Sequence, residues 1–146
     1  PHACVLRLGS LPVEDVERII GKVRIARPST KKPRAPGQLS RHYSPETPMR
    51  FVGSTKRQRE FMGKKRVGYL SFKRPLNELP YEIIEVLSST GDLREAAANL
   101  FACLHRLDEA NLDIILAEPV PEVGLGRAIM DRLRKASGQR TRAYRD

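Results

Sequence analysis

The sequence has no tryptophan and only four tyrosines and four phenylalanines in 146 residues. So few rings leave no array on which successive bases could stack, the usual platform of single-strand binders. Cysteine is scarce too. Cys4 and Cys103 lie far apart and lack metal-ligand spacing, which argues against a disulfide framework and for a reducing, cytoplasmic setting. No apolar run approaches the roughly 18 residues a membrane span needs, and no charged-then-apolar leader opens the sequence. A Gly-x4-Gly-Lys-Ser/Thr loop is missing. So are a nucleophile triad, a carboxylate pair and a metal cluster, so no catalytic or metal-binding residue is assigned and this chain alone is not expected to catalyse a reaction.

Acidic residues are nearly absent from one stretch. Residues 22–74 hold 16 Lys and Arg against Glu46 and Glu60 alone, a local charge of +14 within a total of +10. The rest of the chain is net negative. Such a field favours an anionic partner: a nucleotide triphosphate, an RNA or an acidic protein face. A solvated basic surface with no partner is the plainer reading of charge alone.

Three segments precede the tail. Residues 1–24 carry a short strand at Val5–Arg7 and then Pro12, which suits a first helical turn. Val13, Val16, Ile19 and Ile20 share one helical face, and Gly21 suits the stop. One strand and one helix cannot enclose a core. Residues 25–48 form an extended linker stiffened by five prolines. Residues 49–137 alternate strands with helices. Strands are expected at 49–52, 67–72, 83–87 and 112–117. A basic helix is expected from Thr55 to near Gly63, a long helix from Asp92, and a last helix carrying Leu125, Ile129, Leu133 and Ala136. The alternation predicts an α/β, Rossmann-like three-layer domain with a mostly parallel sheet of four to five strands. The connection from Lys73 to Glu82 is short for a helical crossover. Residues 138–146 are a basic tail.

Within the linker, Ala35-Pro36-Gly37-Gln38-Leu39-Ser40-Arg41-His42-Tyr43-Ser44-Pro45 is too particular for a spacer. Arg41 offers a planar fork to phosphate or carboxylate. His42 donates or accepts near neutral pH, and Tyr43 supplies a ring face and a hydroxyl. This stretch resembles the linker motif of the two-domain threonylcarbamoyl-adenylate synthases, roughly Ser-Pro-Gly-Met, a variable stretch, then His-Tyr-x-Pro. Pro36, Gly37, Arg41, His42, Tyr43 and Pro45 match. Ala35 and Gln38 stand where Ser and Met are usual. A second stretch, from Ala97-Ala98-Asn99-Leu100-Phe101 through Leu107-Asp108 and Asp113–Glu118 to Gly124–Leu133, is similar to the C-terminal domain of the same family.

The resemblance implies that residues 1–24 close a YrdC-like catalytic domain whose remainder is absent. It also implies that the linker passes over that domain's pocket and gates ATP, threonine and the adenylate. ATP and magnesium would then be substrate and cofactor of the parent, and tRNA its downstream beneficiary. Whether the catalytic domain is attached, separate or removed stays open.

Two other readings remain. One is a stand-alone basic module binding tRNA or another nucleic acid, whose sign is steep salt dependence. The other is a nucleotide site at Gly124 and Gly126, where a strand leads into a helix and free amides can hold phosphate. Ile129 replaces the third glycine of the dinucleotide pattern. His105 is read as solvated, Cys103 as a small packed residue, Asp131–Arg132 as a local pair, and Asn99 as a hydrogen-bonder to a nearby loop.

Overall fold

A computed structural model describes residues 3–26, 44–52 and 66–138. In chain order these form β1 (Cys4–Val5), α1 (Val13–Ile20), β2 (Arg24–Ile25), β3 (Met49–Phe51), β4 (Val67–Ser71), β5 (Ile83–Val86), α2 (Leu93–Glu109), β6 (Ile114–Ala117) and α3 (Leu125–Ala136). The helix expected near residues 55–63 lies outside the described residues. The expected α/β class and parallel sheet are present.

The chain divides into two compact units: residues 1–44 with 122–146, and residues 45–121. The last helix, grouped by sequence with residues 49–137, therefore clusters with the N-terminal segment. In this first unit β1 and β2 pair in parallel, with α1 between them in sequence. Leu8, Val13 and Ala128 form a small core, with Val5, Val23 and Ile25 packed against it. Gly21 ends α1 at φ +78°, a left-handed turn that suits glycine. The strand Arg24–Ile25 is an addition to the sequence reading. Two residues are too few to carry a period.

The second unit contains a four-stranded sheet of order β3-β6-β4-β5, with every pair parallel. Val67, Tyr69, Ile114 and Leu116 line one face, with Ile84 packed beside them. Alternation sends Gly68, Leu70, Ile115 and Ala117 to the other. That second face meets α2, whose Ala96, Leu100, Cys103, Leu104 and Leu107 are buried. Gly68 permits the close approach. A Cβ there would lie 2.9 Å from Leu107 Cδ2 and closer still to Leu112 Cδ1.

The first face is covered differently. No helix joins β4 to β5; residues 72–82 cross as irregular chain, near the lower length limit for a parallel connection. Leu79 and Tyr81 of this crossover pack on the sheet. The rings of Tyr81 and Tyr69 stack with centroids 4.5 Å apart and planes at 5°. Helix α2 starts where the Asp92-to-Glu95 spacing predicts. Asp92 Oδ1 accepts the Glu95 amide at 2.7 Å, and Ser88 Oγ accepts the Asp92 amide at 2.8 Å while contacting Glu95 Oε2.

The tight contact at Gly68 yields a stability prediction. Gly68→Ala should cost about 1–3 kcal/mol by overpacking, and Leu112→Ala about 2–5 kcal/mol by loss of a buried side chain. Because both act on one contact, the double variant should cost less than their sum. Urea unfolding of the four proteins measures this; strict additivity would deny the contact.

Candidate functional site

Pro36, Gly37, Arg41, His42 and Tyr43 lie outside the described residues. The described chain resumes at Ser44, and Pro45, the last member of the sequence-predicted linker set, opens the second unit. Directly after it the backbone is held by one side chain. Asp108, near the C-terminal end of α2, accepts the Thr47 amide through Oδ1 at 2.8 Å and the Glu46 amide through Oδ2 at 3.1 Å. Thr47 is itself buried. The chain then enters β3, which pairs with β6 at the sheet edge. Burial pulls the Asp108 carboxyl upward. Hydrogen bonds from Thr47 and Glu46, with nearby His105, outweigh that and hold it below the ordinary aspartate value.

A second carboxylate organises the C-terminal ends of β4 and β6. Glu118 accepts from the Tyr69 hydroxyl at 2.7 Å and from the Phe72 amide at 2.7 Å, and Ser71 Oγ lies 3.0 Å away. Burial first, and then this hydrogen bond, push the Tyr69 phenol well above its ordinary range. The arrangement ties two strands to the crossover between β4 and β5.

Gly124 and Gly126 stand at the start of α3, within the first unit. Gly124 adopts φ +52°. Its amide donates to Glu14 Oε1 at 3.2 Å, and the same oxygen lies 3.3 Å from Arg127 Nη2. The Gly126 amide donates to Val123 O at 2.8 Å. The helix entry, weighed from the sequence only as a weak phosphate site, thus already holds a carboxylate from the chain itself. The Glu14 backbone amide, followed by the Gly124 amide and Arg127, hold that carboxyl below its ordinary value against burial.

The remaining candidates are structural. Asn99 Nδ2 donates to Leu87 O at 2.9 Å, which closes the loop between β5 and α2. Cys103 is buried, and burial together with Glu85 pushes its thiol up to about 11, far from a reactive thiolate. His105 is exposed, 3.4 Å from Glu109. Asp131 accepts from Lys135 Nζ at 2.7 Å. Among the described residues no group of three or more His, Cys, Asp and Glu could hold a metal ion, and no helix is long and apolar enough to cross a membrane.

Asp108, Glu118 and Glu14 were not assigned as site residues from the sequence. Asp108 does carry a signal. A carboxylate in the last turn of a helix opposes the macrodipole, so a compensating partner was to be expected.

The second unit is a small parallel α/β domain in which the half-buried carboxylates of Asp108 and Glu118 hold its own backbone. A family model described as the C-terminal domain of threonylcarbamoyl-AMP synthase matches residues 11–138, and the chain belongs to that family. The threonylcarbamoyl-AMP synthase of Pyrococcus abyssi (strain GE5 / Orsay) is 37% identical over 150 residues, covering 93% of this chain and 42% of the relative. That of Bacillus subtilis (strain 168) is 32% identical over 145 residues, with the same two coverages. The crystal structure of P. abyssi Sua5 complexed with L-threonine superposes with a TM-score of 0.73 at 36% identity, covering 94% of this chain and 43% of that one. The chain therefore spans about two fifths of the length of the relatives it matches and corresponds to their C-terminal part.

The Asp108 contact gives a pH prediction. Its folded pKa lies below its unfolded one, so the stabilisation is fully present above the unfolded value and is lost as pH falls through the folded value. The amide resonances of Glu46 and Thr47 should shift together, with a midpoint below the usual 3.8. An acid titration followed by NMR measures it; amides that do not move would show the contact to be absent in solution.

Proposed function

We propose that this chain is the linker and accessory domain of a threonylcarbamoyl-AMP synthase, acting on a YrdC-like catalytic domain in cis or in trans. The parent would condense threonine, bicarbonate and ATP to threonylcarbamoyl-AMP, pyrophosphate and water, the nucleotidyl-transfer step that precedes tRNA modification in the cytoplasm. The observation that carries this reading is the family match across residues 11–138, on relatives that extend well beyond the region matched.

The segment Arg41-His42-Tyr43 would act at the catalytic pocket. A solved variant of P. abyssi Sua5 has a histidine and the tyrosine after it both replaced by alanine, and His42–Tyr43 is the one adjacent His–Tyr pair of this sequence. The physical need is water exclusion, because a carbamoyl adenylate hydrolyses readily and a closing segment protects it. Binding of ATP, with its magnesium, and the bond-making step would belong to the catalytic domain. This chain would restrain ATP, threonine and the adenylate. The first unit also offers a surface for that partner: Leu11, Ile19 and Ile20 are large, apolar and exposed, and a two-stranded parallel pair is rarely stable alone.

Adenylate formation from ATP, threonine and bicarbonate tests the reading in protein carrying both parts. Tyr43→Ala should lower the adenylate formed per ATP consumed by about threefold or more, with the catalytic domain still folded. An unchanged ratio would sink the gating role. Steep loss of tRNA affinity with salt, in a chain without effect on adenylate yield, would move the assignment to nucleic-acid binding.

A further inference from the structure

We propose that Asp108 is a positioning residue, whose carboxylate fixes the backbone of Glu46 and Thr47 and so sets the point from which the preceding segment departs. The proposal rests on the reading under Proposed function. Its geometry stands independently.

Three observations carry it. First, one carboxylate uses both oxygens on two successive amides, at 3.1 and 2.8 Å. Two charge-assisted hydrogen bonds to adjacent residues fix direction as well as position. Second, the residue is in the wrong place for its own helix. Asp108 lies in the last turn of α2 (Leu93–Glu109), where the carbonyl ends disfavour negative charge. Its neighbour Arg106, which would complement the dipole, is instead paired with Glu85 on β5 at 2.7 Å. A charge that breaks a local rule calls for a compensating interaction, and for Asp108 the two amides supply it. Third, the held residues begin the second unit, immediately after the boundary between Ser44 and Pro45. Thr47 is buried and Pro48 O accepts the Ile115 amide at 2.8 Å, so the clamp is continuous with the sheet through β6.

The alternative is that Asp108 stabilises the fold and nothing more. Amide exchange and product yield, measured on the same variants, separate the two. In Asp108→Asn of this chain, exchange at Glu46 and Thr47 should become roughly tenfold faster while that of Leu70 and Ile115, in the centre of the sheet, stays as it was. In protein carrying the catalytic domain, the same variant should form about threefold less adenylate per ATP consumed. Glu46→Pro deletes one of the two amides and leaves α2 untouched, so it should shift the yield in the same direction and by less. It serves equally well if Asp108→Asn does not fold.

Freed amides with an unchanged yield would overturn the proposal and leave Asp108 a structural residue. A lower yield with unchanged exchange would overturn it too, since Asp108 would then act elsewhere. Tyr43→Ala, run alongside, separates the two readings. If it lowers the yield and neither clamp variant does, the clamp falls and the gating role survives. If it changes nothing while the amides are freed, the gating role falls and takes the positioning role with it.

Discussion

Strand β4 is buried at all five of its residues, and a parallel strand in that position needs cover on both faces. Much of the second unit follows from this constraint. One face is met by α2, which approaches closely because residue 68 has no side chain. The other is met by a crossover of irregular chain, in which Tyr81 stacks on Tyr69. A stacked ring contributes large apolar area at little entropic cost, with about 0.5–1.5 kcal/mol from the ring pair itself. That is how a connection without a helix can still close a sheet face. Glu118 then satisfies the polar tip of Tyr69, together with the Phe72 amide, so the buried hydroxyl is not left unpaired.

Much of this was legible in the sequence, because it is written in local patterns. The runs at 67–72, 83–87 and 112–117 carry the β-branched and aliphatic residues of buried strands. Leu93, Ala96, Leu100, Leu104 and Leu107 keep a helical period. The Asp92-to-Glu95 spacing marks a cap that the structure realises at 2.7 Å. The short connection from Lys73 to Glu82 was visible as an anomaly, but its solution was not. That solution depends on Tyr81 meeting Tyr69, a contact between residues that no period relates. The strand Arg24–Ile25 was likewise invisible, since a two-residue pairing is decided by its partner Cys4–Val5.

The sites divide along the same line. Gly124 and Gly126 read correctly as a helix entry, and a helix entry is a place for an anion. Sequence spacing cannot say that the anion is Glu14, some 110 positions away. The Arg41-His42-Tyr43 segment is proposed from residue identity alone, because a fork, an imidazole and a phenol in succession have chemistry without reference to neighbours, and it lies outside the described residues. Its environment is a matter of tertiary structure. Asp108 is the intermediate case. Its conflict with the helix dipole is local and readable, whereas its partners are 61 and 62 residues away.

Asp92 and Asp108 show on one helix what an aspartate can do at each end. At the start of α2 the carboxylate lies among unsatisfied amides of its own helix, and both capping and the macrodipole favour it. Near the end it faces carbonyls that repel it, and burial adds to the cost. Two backbone amides from one short segment outside the helix reverse that balance, with a smaller contribution from His105 one turn back. The dependence is mutual: the segment is held because the carboxylate needs donors, and the carboxylate stays ionised because the segment supplies them. A neutral residue at 108 would remove the local cost to the helix and would also release the chain that enters β3. Helix stability alone would favour that exchange, so the presence of aspartate at this position is accounted for by the segment it holds.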